Sequence, residues 1–347
     1  MGSRYIDSGL MAVFCDMLRR AKKVSLVVHV NPDGDAMGAS IALYHCLRVL
    51  MPDLEVVIVS PNRYPEFLKW MDGTDNVLVF RERRKIVKEA IATSDVLICL
   101  DFNSLSRLED LGEFIASTAV PRVLIDHHIE PKKEEFLLII SDVKVSSTSE
   151  LIFRMAKDML PGPLPRPAAD AIMAGMMTDT NMFRDNSSNP ETFKVVAELL
   201  KMGVDKEKVT SQIFDNFSIS RVKLLGFALS EKMVVLPEYH AAYISISQSE
   251  LNNFSFQPGD TEGFVNYPLN IKGVNISAYI SEQLDGTIRF SFRSRGAFSV
   301  NDFARRHFSG GGHKNAAGGR MDASLDEAIA EYIKQLEYYK DEISASI

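Results

Sequence analysis

Short runs that are apolar at nearly every position, instead of at alternate positions, constrain this chain most. Val24–Val30, Val96–Leu100 and Val123–Ile125 have this character, and Val56–Val59, Asn76–Phe80 and Phe136–Ile140 are further strand-like runs. A strand without a polar side must be covered on both faces, which is the situation of a parallel sheet between two helical layers. Helical segments fall where such a sheet needs its crossovers, over Ala36–Leu50 and Arg83–Ala92. An amphipathic first helix precedes them, with Ile6, Leu10, Val13, Phe14, Met17 and Leu18 at helical spacing. The first half of the chain is therefore expected to be α/β.

The pattern then changes twice. From Ser147 to about Phe227 it is mostly helical, broken by the proline-rich segment Pro161–Pro167 and restarted at Asn189-Pro190-Glu191, a cap followed by a first-turn proline. After Ser230 come short β-like runs at Met233–Leu236, Ala242–Ile246, Val274–Ile280 and Ile288–Phe292, then a glycine-rich loop and a helix over Leu325–Tyr339. The predicted organisation is a parallel-sheet domain over 1–200 with helices on both faces, a helical connector over 201–229, and a smaller α+β domain over 230–347.

Bulk properties narrow the function. Net charge is −7, which argues against a basic surface that clamps long nucleic acid, though not against a small anion held at a local cluster. No apolar stretch approaches the roughly 18 residues of a membrane span. The N-terminal charges Arg19, Arg20, Lys22 and Lys23 follow the apolar residues instead of preceding them, unlike a signal peptide, so the cytoplasm is the expected compartment. Cys15, Cys46 and Cys99 are widely spaced, and the latter two lie in apolar surroundings, so free thiols are expected.

The chemistry lies in four clusters of carboxylate and imidazole. His29, Asp33 and Asp35 follow the first strand, Asp101 follows Val96–Leu100, Asp126-His127-His128 follow Val123–Ile125, and Asp179 lies in Thr178-Asp-Thr-Asn. In an open parallel sheet, groups behind the carboxyl ends of neighbouring strands share one edge. Two divalent cations about 3.5–4 Å apart can share a bridging carboxylate and a water, lower the pKa of that water and clamp phosphoryl oxygens. Mixed oxygen and imidazole ligands suit Mn²⁺ better than Mg²⁺. Taken singly, each cluster also has a structural reading, as a turn, a helix cap or a hydrogen-bonded pair.

The set His29-Val-Asn-Pro-Asp33-Gly-Asp35-Ala-Met-Gly-Ala-Ser40, strand-Asp101, Asp126-His-His and Thr178-Asp-Thr resembles the DHH phosphoesterase superfamily, over residues 29 to about 180. The resemblance implies that His29 and Asp33 hold one manganese ion, that Asp35, His127 and Asp179 hold a second, and that Asp101 bridges them. It implies further that His128 faces the scissile phosphate, and Asp126 would orient the histidine pair. Arg107 matches an arginine expected just beyond the bridging aspartate and joins Asp101 and His128 as a catalytic candidate. A solvated position, or a salt bridge to Glu109 or Asp110, is the alternative reading of Arg107.

Near the C-terminus, Phe308-Ser-Gly310-Gly-Gly-His313-Lys-Asn-Ala-Ala-Gly318-Gly319 lets backbone amides approach a phosphate, with His313 and Lys314 adding donors and charge. It fits neither common nucleotide-loop spacing. It is similar to the signature of the DHHA1 domain, as is Arg293-Ser294-Arg295. That resemblance implies substrate contacts from Arg293, Ser294, Gly311, Gly312, His313 and Lys314 across an interdomain cleft, opposite the metals. The compact DHH–DHHA1 arrangement is similar to nano-RNases, which degrade oligoribonucleotides of two to five residues, and to their relatives that dephosphorylate 3′-phosphoadenosine-5′-phosphate (pAp). The implied function is Mn²⁺-dependent hydrolysis of such oligonucleotides, pApA included, to mononucleotides, removal of the pAp 3′-phosphate, or both. Exopolyphosphatase and cyclic-dinucleotide phosphodiesterase activities are the alternatives. A non-catalytic nucleotide-binding regulator is a further one, which the intact set of ligand residues argues against. The sequence leaves a homodimer open.

Overall fold

The computed structural model describes residues 6–215 and 217–346. The chain divides into two units, Met1–Asn216 and Phe217–Ile347. In the first, strands β1 (Lys23–Val28), β2 (Glu55–Ser60), β3 (Val77–Val79), β4 (Val96–Leu100), β5 (Arg122–Asp126) and β6 (Leu138–Ser141) form one sheet in the order β3-β2-β1-β4-β5-β6. Every pairing is parallel. Its helices are α1 (Ser8–Arg20), α2 (Gly34–Leu50), α3 (Arg84–Ala92), α4 (Asp110–Ala116), α5 (Thr148–Met159), α6 (Arg166–Asp179), α7 (Pro190–Lys201) and α8 (Lys206–Phe214).

Two-sided burial explains the all-apolar strands. Val24, Leu26 and Val28 of β1 face a core built with α1, α2, α5 and α6, which includes Phe14, Ile41, Phe153 and Ile172. The intervening Val27, with Leu97 and Cys99 of β4 and Leu124 of β5, faces a second core with Val87 and Ile91 of α3 and Leu111 and Ile115 of α4. Register places Val28 beside Leu100 and Leu100 beside Ile125, so the residues that follow leave the sheet at one edge. The strand order changes direction between β1 and β4, where an open α/β sheet leaves a crevice.

Helices α2 and α6 cross at close range because small residues meet there. A Cβ on Gly38 would lie 2.6 Å from the Ala171 carbonyl oxygen. One on Gly175 would lie 2.0 Å from Ser149 Oγ and 2.9 Å from Asp35 Oδ1. The crossing brings the start of α2, with Asp35, beside the end of α6, with Asp179.

The second unit is a mixed sheet of β7 (Met233–Leu236), β8 (Ala241–Ile246), β9 (Ile276–Glu282), β10 (Ile288–Ser294), β11 (Gly311–His313) and β12 (Ala316–Met321), ordered β11-β12-β10-β9-β8-β7. Only β8 and β9 run parallel. It also contains α9 (Ile219–Ser230), α10 (Gln248–Asn253), α11 (Val300–His307) and α12 (Leu325–Ser344). Phe290, Phe292, Phe303, Phe308 and Tyr332 form the aromatic centre of its core. The expected glycine-rich loop is the hairpin β11–β12, in which a Cβ on Gly310 would lie 1.9 Å from the Gly318 carbonyl oxygen. Helix α12 runs past Tyr339 because Ile343 is fully buried in the same core. Of the segment 201–229, α8 lies in the first unit and α9 in the second.

Cys15, Cys46 and Cys99 are free thiols, and burial pushes Cys46 and Cys99 up to about 12. Among the described residues no helix is long and apolar enough to cross a membrane.

The α2–α6 crossing is open to a direct test. Gly175→Ala places a methyl against Ser149 and Asp35 and should cost about 1–3 kcal/mol, the usual range for overpacking. Urea denaturation of the purified variant measures it, and an unchanged midpoint would contradict the close crossing.

Candidate metal centre

Each loop behind β1, β4 and β5 delivers its polar group for a local reason. His29 follows β1 directly, and its Nδ1–H donates to the Val30 carbonyl at 2.9 Å, which turns Nε2 toward the sheet edge. Asp33 caps α2, with Oδ1 accepting from the Asp35 and Ala36 amides at 3.0 and 3.1 Å. Its other oxygen, Oδ2, lies 3.9 Å from His29 Nε2. Asp101 follows β4 at φ +66°, a left-handed backbone conformation that aspartate tolerates far better than β-branched residues do. Asp126 ends β5, and His127 and His128 follow it.

These side chains sort into two groups that share one carboxylate. Asp101 Oδ2 is 3.6 Å from His29 Nε2, and Asp101 Oδ1 is 3.6 Å from His127 Nε2. His127 Nε2 also lies 3.8 Å from Asp35 Oδ2 and 3.6 Å from Asp179 Oδ2. His29, Asp33 and Asp101 form one trio of potential ligands, and Asp35, Asp101 and His127 a second. Donors held about 2.0–2.2 Å from a common cation stand roughly 3–4 Å apart, so the observed spacings suit a shared ion.

Electrostatics asks for cations here. Burial pushes Asp101 well above the usual carboxylate range, and the charges of Asp35, Asp33, Asp179 and Asp126 push it further. Burial likewise raises Asp35, although the imidazole of His127 and hydrogen bonds from Ser149 oppose it. Burial drives His29 down to about 4, against the pull of Asp33, which leaves a neutral imidazole, the form that ligates metals. For His127 burial acts downward, but Asp179 and Asp35 outweigh it and raise the imidazole. Carboxylates and imidazoles that are buried together, with two of the carboxyls, Asp35 and Asp101, disfavoured as anions, fit a divalent ion.

Asp126 and Arg107 play different parts. Asp126 Oδ1 accepts from His128 Nδ1 at 2.6 Å, while His128 Nδ1 is 3.9 Å from Asp101 Oδ1. Burial would raise the Asp126 carboxyl, but the charge of His128 and the hydrogen bond from it hold it below its ordinary range. Arg107 sits in the turn Leu105–Leu108 with its carbonyl accepting from the Val30 amide at 3.0 Å. Its charge acts on His29, lowering that imidazole. Glu109 and Asp110 pair instead with Arg81 and Arg84, at 2.7 and 2.8 Å.

A further element belongs to the site, and its start is marked in the sequence. The α5 N-terminus donates the Thr148 amide to Asp35 Oδ2 at 2.6 Å and the Ser149 amide to Asp35 Oδ1 at 2.8 Å. The Thr148 hydroxyl donates to Asp101 Oδ1 at 2.8 Å. Ser147 three residues before Glu150 is a helix-start pattern that marks this turn.

The remaining predicted residues lie in the second unit. Arg293 and Ser294 end β10, and Ser294 Oγ donates to the Phe298 carbonyl and accepts from Asn315 Nδ2, both at 2.8 Å. Gly311, Gly312 and His313 form β11, with Lys314 exposed at the turn. The Gly312 amide donates to Asn301 Oδ1 at 2.8 Å, and the Gly310 amide to the Ala304 carbonyl at 3.1 Å.

Comparison with known proteins gives this arrangement its family. Residues 23–176 match the DHH family, N-terminal domain, and residues 238–339 match the DHHA1 domain. A crystal structure of an exopolyphosphatase-related protein from Bacteroides fragilis is 38% identical, with a TM-score of 0.90 over 99% of each chain. The chain belongs to the DHH family. The bifunctional oligoribonuclease and PAP phosphatase NrnA of Bacillus subtilis (strain 168) is 29% identical, aligned over 86% of this chain and 89% of its own. The probable bifunctional oligoribonuclease and PAP phosphatase NrnA of Streptococcus mutans serotype c (strain ATCC 700610 / UA159) is 28% identical over 94% and 99%. DHH phosphoesterases are metal-dependent hydrolytic enzymes, and the clusters described above could hold a metal.

The raised Asp101 makes a signed prediction. Folding favours its protonated form, so its contribution to the stability of the metal-free protein is fully present below the ordinary carboxylate range and is lost as pH rises from that range through the raised folded value. At neutral pH Asp101→Asn should therefore melt a few degrees higher than wild type when both are metal-free. Mn²⁺ at about 100 times its dissociation constant should stabilise wild type by about 2.7 kcal/mol, and the variant by much less. Calorimetric melting with and without chelator decides it, and a wild type indifferent to Mn²⁺ would contradict the metal reading.

Proposed function

We propose that this chain hydrolyses short oligoribonucleotides of two to five residues, pApA included, to mononucleotides and removes the 3′-phosphate of pAp, using two Mn²⁺ ions. The observation that carries the reading is the carboxylate of Asp101, whose two oxygens face two different imidazole-containing groups at 3.6 Å each. His29 and Asp33 would hold one ion, Asp35, His127 and Asp179 the other, with Asp101 between them. Bound divalent ions supply a hydroxide nucleophile at neutral pH and neutralise phosphoryl charge.

The chain's own residues have separate tasks. Asp126 fixes the tautomer of His128 through Nδ1, so Nε2 is the nitrogen assigned to the phosphate. Arg107 adds positive charge beside His29, suited to a phosphoryl oxygen. In the second unit we assign substrate recognition to Arg293, Ser294, Gly311, Gly312, His313 and Lys314, with the side chains of Arg293, His313 and Lys314 as the charged contacts. The names of the Bacillus and Streptococcus relatives support the nucleotide substrates. Free, buried thiols support the reducing cytoplasm as the compartment. Exopolyphosphatase activity is the second reading, favoured by the name of the 38% identical Bacteroides protein.

Turnover is measured with pApA, pAp and polyphosphate side by side, with and without Mn²⁺. Mn²⁺-stimulated release of mononucleotide from pApA is expected, and Asp101→Ala should lose it by about 10³-fold or more while keeping its circular dichroism spectrum. Activity confined to polyphosphate would select the second reading, and no turnover of any substrate would end both. His313→Ala should raise KM for nucleotides while leaving Mn²⁺ affinity intact. Unchanged kinetics in that variant would remove the recognition role.

A further inference from the structure

The turn that starts α5 does more than begin a helix. Residues Ser146–Glu150 are all buried, and Thr148, Ser149 and Glu150 have no exposed surface at all. Three of their donors reach two carboxylates of the candidate centre. The Thr148 and Ser149 amides take the two oxygens of Asp35, one each, and the Thr148 hydroxyl takes Oδ1 of Asp101. Amides at a helix N-terminus carry partial positive charge, so α5 partly compensates two carboxylates that burial disfavours.

The turn is itself anchored from the far side. Ser147 Oγ accepts from the Glu150 amide at 3.0 Å. Glu150 Oε2 accepts from the Ser146 amide at 2.9 Å, from the Ser146 hydroxyl at 2.6 Å and from Thr192 Oγ1 of α7 at 2.9 Å. Glu150 Oε1 pairs with the buried Arg154. An ion pair with this many satisfied oxygens is rigid, and its removal would leave a buried charge.

The consequence falls on Asp101. An aspartate carboxylate on two rotatable bonds can present its oxygens in many ways, but each oxygen here is committed to one side. Oδ1, on the side of His127 and Asp179, gives one of its acceptor sites to Thr148. That leaves Oδ1 a single further direction and aims Oδ2 at His29. We infer that Thr148 is a positioning residue, whose hydroxyl sets the orientation in which Asp101 is shared between the two ligand groups. Asp35 does not depend on that hydroxyl, because it is held by backbone amides. The inference rests on the two-metal reading proposed above.

Thr148→Val keeps the shape of the side chain and the backbone amide on Asp35 while removing the hydroxyl. Thr148→Ser returns the hydroxyl on a smaller side chain. Mn²⁺ affinity is read from the electron paramagnetic resonance signal of unbound Mn²⁺ during titration of full-length, metal-stripped protein. The Val variant should bind about 10- to 100-fold more weakly, the usual cost of losing a group that orients a metal ligand, and the Ser variant should recover most of the loss. The signal of a spin-coupled Mn²⁺ pair at saturation should weaken in the Val variant and return in the Ser variant. A lower melting temperature with wild-type Mn²⁺ affinity would overturn the inference, since Thr148 would then serve the fold alone. Weakened binding that Ser fails to restore would overturn it too. A wild type that binds no Mn²⁺ would overturn the two-metal reading along with it.

Discussion

Like charges crowded at one edge of a buried sheet are the constraint on which the rest of this molecule depends. Asp35 and Asp101 are 1% and 2% exposed, and each is disfavoured as an anion in the metal-free protein. Packing alone would never assemble such a set. The fold supports it with fixed dipoles instead: α2 begins on Asp33, α5 begins on Asp35, and backbone amides meet both carboxylates. These contacts hold the oxygens in place without supplying a full countercharge. That remaining demand is what a divalent ion meets, so the local instability and the chemistry have one origin.

Legibility in the sequence followed the range of the cause. Whether a strand is buried on both faces depends on residues that are contiguous, so β1, β4 and β5 were visible as apolar runs, and their trailing polar residues stood out against them. Residues such as His29 and Asp101 were legible for that reason, since they interrupt a pattern that is otherwise uniform. The start of α5 is marked by Ser147 and Glu150, but what its turn gives the site was not legible, because that contribution comes mainly from backbone amides, which every residue has. The partners Asp35 and Thr148 are separated by 113 positions, and nothing local to either announces the other. The α2–α6 crossing was hidden in the same way, since Gly38 and Gly175 acquire meaning only when the two helices meet.

The glycine-rich segment shows how a composition signal can be right about importance and incomplete about cause. Consecutive glycines suggested amides open to a phosphate. Gly310 is instead required by the approach of β11 to β12, and the amides of Gly310 and Gly312 are used within the unit. Ser294 is similarly engaged with Phe298 and Asn315. The glycines thus shape the hairpin that carries His313 and Lys314. Under the proposed function, charge for an anionic substrate would come from the side chains of His313 and Lys314 and from Arg293 on β10.

This division bears on why relatives that share one architecture carry different activity names. The first unit offers paired ligand groups and a histidine held by Asp126, which under the proposed function would address a phosphoryl group and not a base or sugar. Such a site treats an oligonucleotide and a polyphosphate alike at the reacting atoms. Discrimination must come from binding energy away from those atoms, where a site that hydrogen-bonds a particular group rejects analogues lacking it. In this chain the candidates for that task lie after residue 216, on β10 and the β11–β12 hairpin. If that assignment holds, substitutions there change which phosphate ester is accepted without disturbing the carboxylate set, whose geometry is fixed within the first unit by α2, α5 and α6.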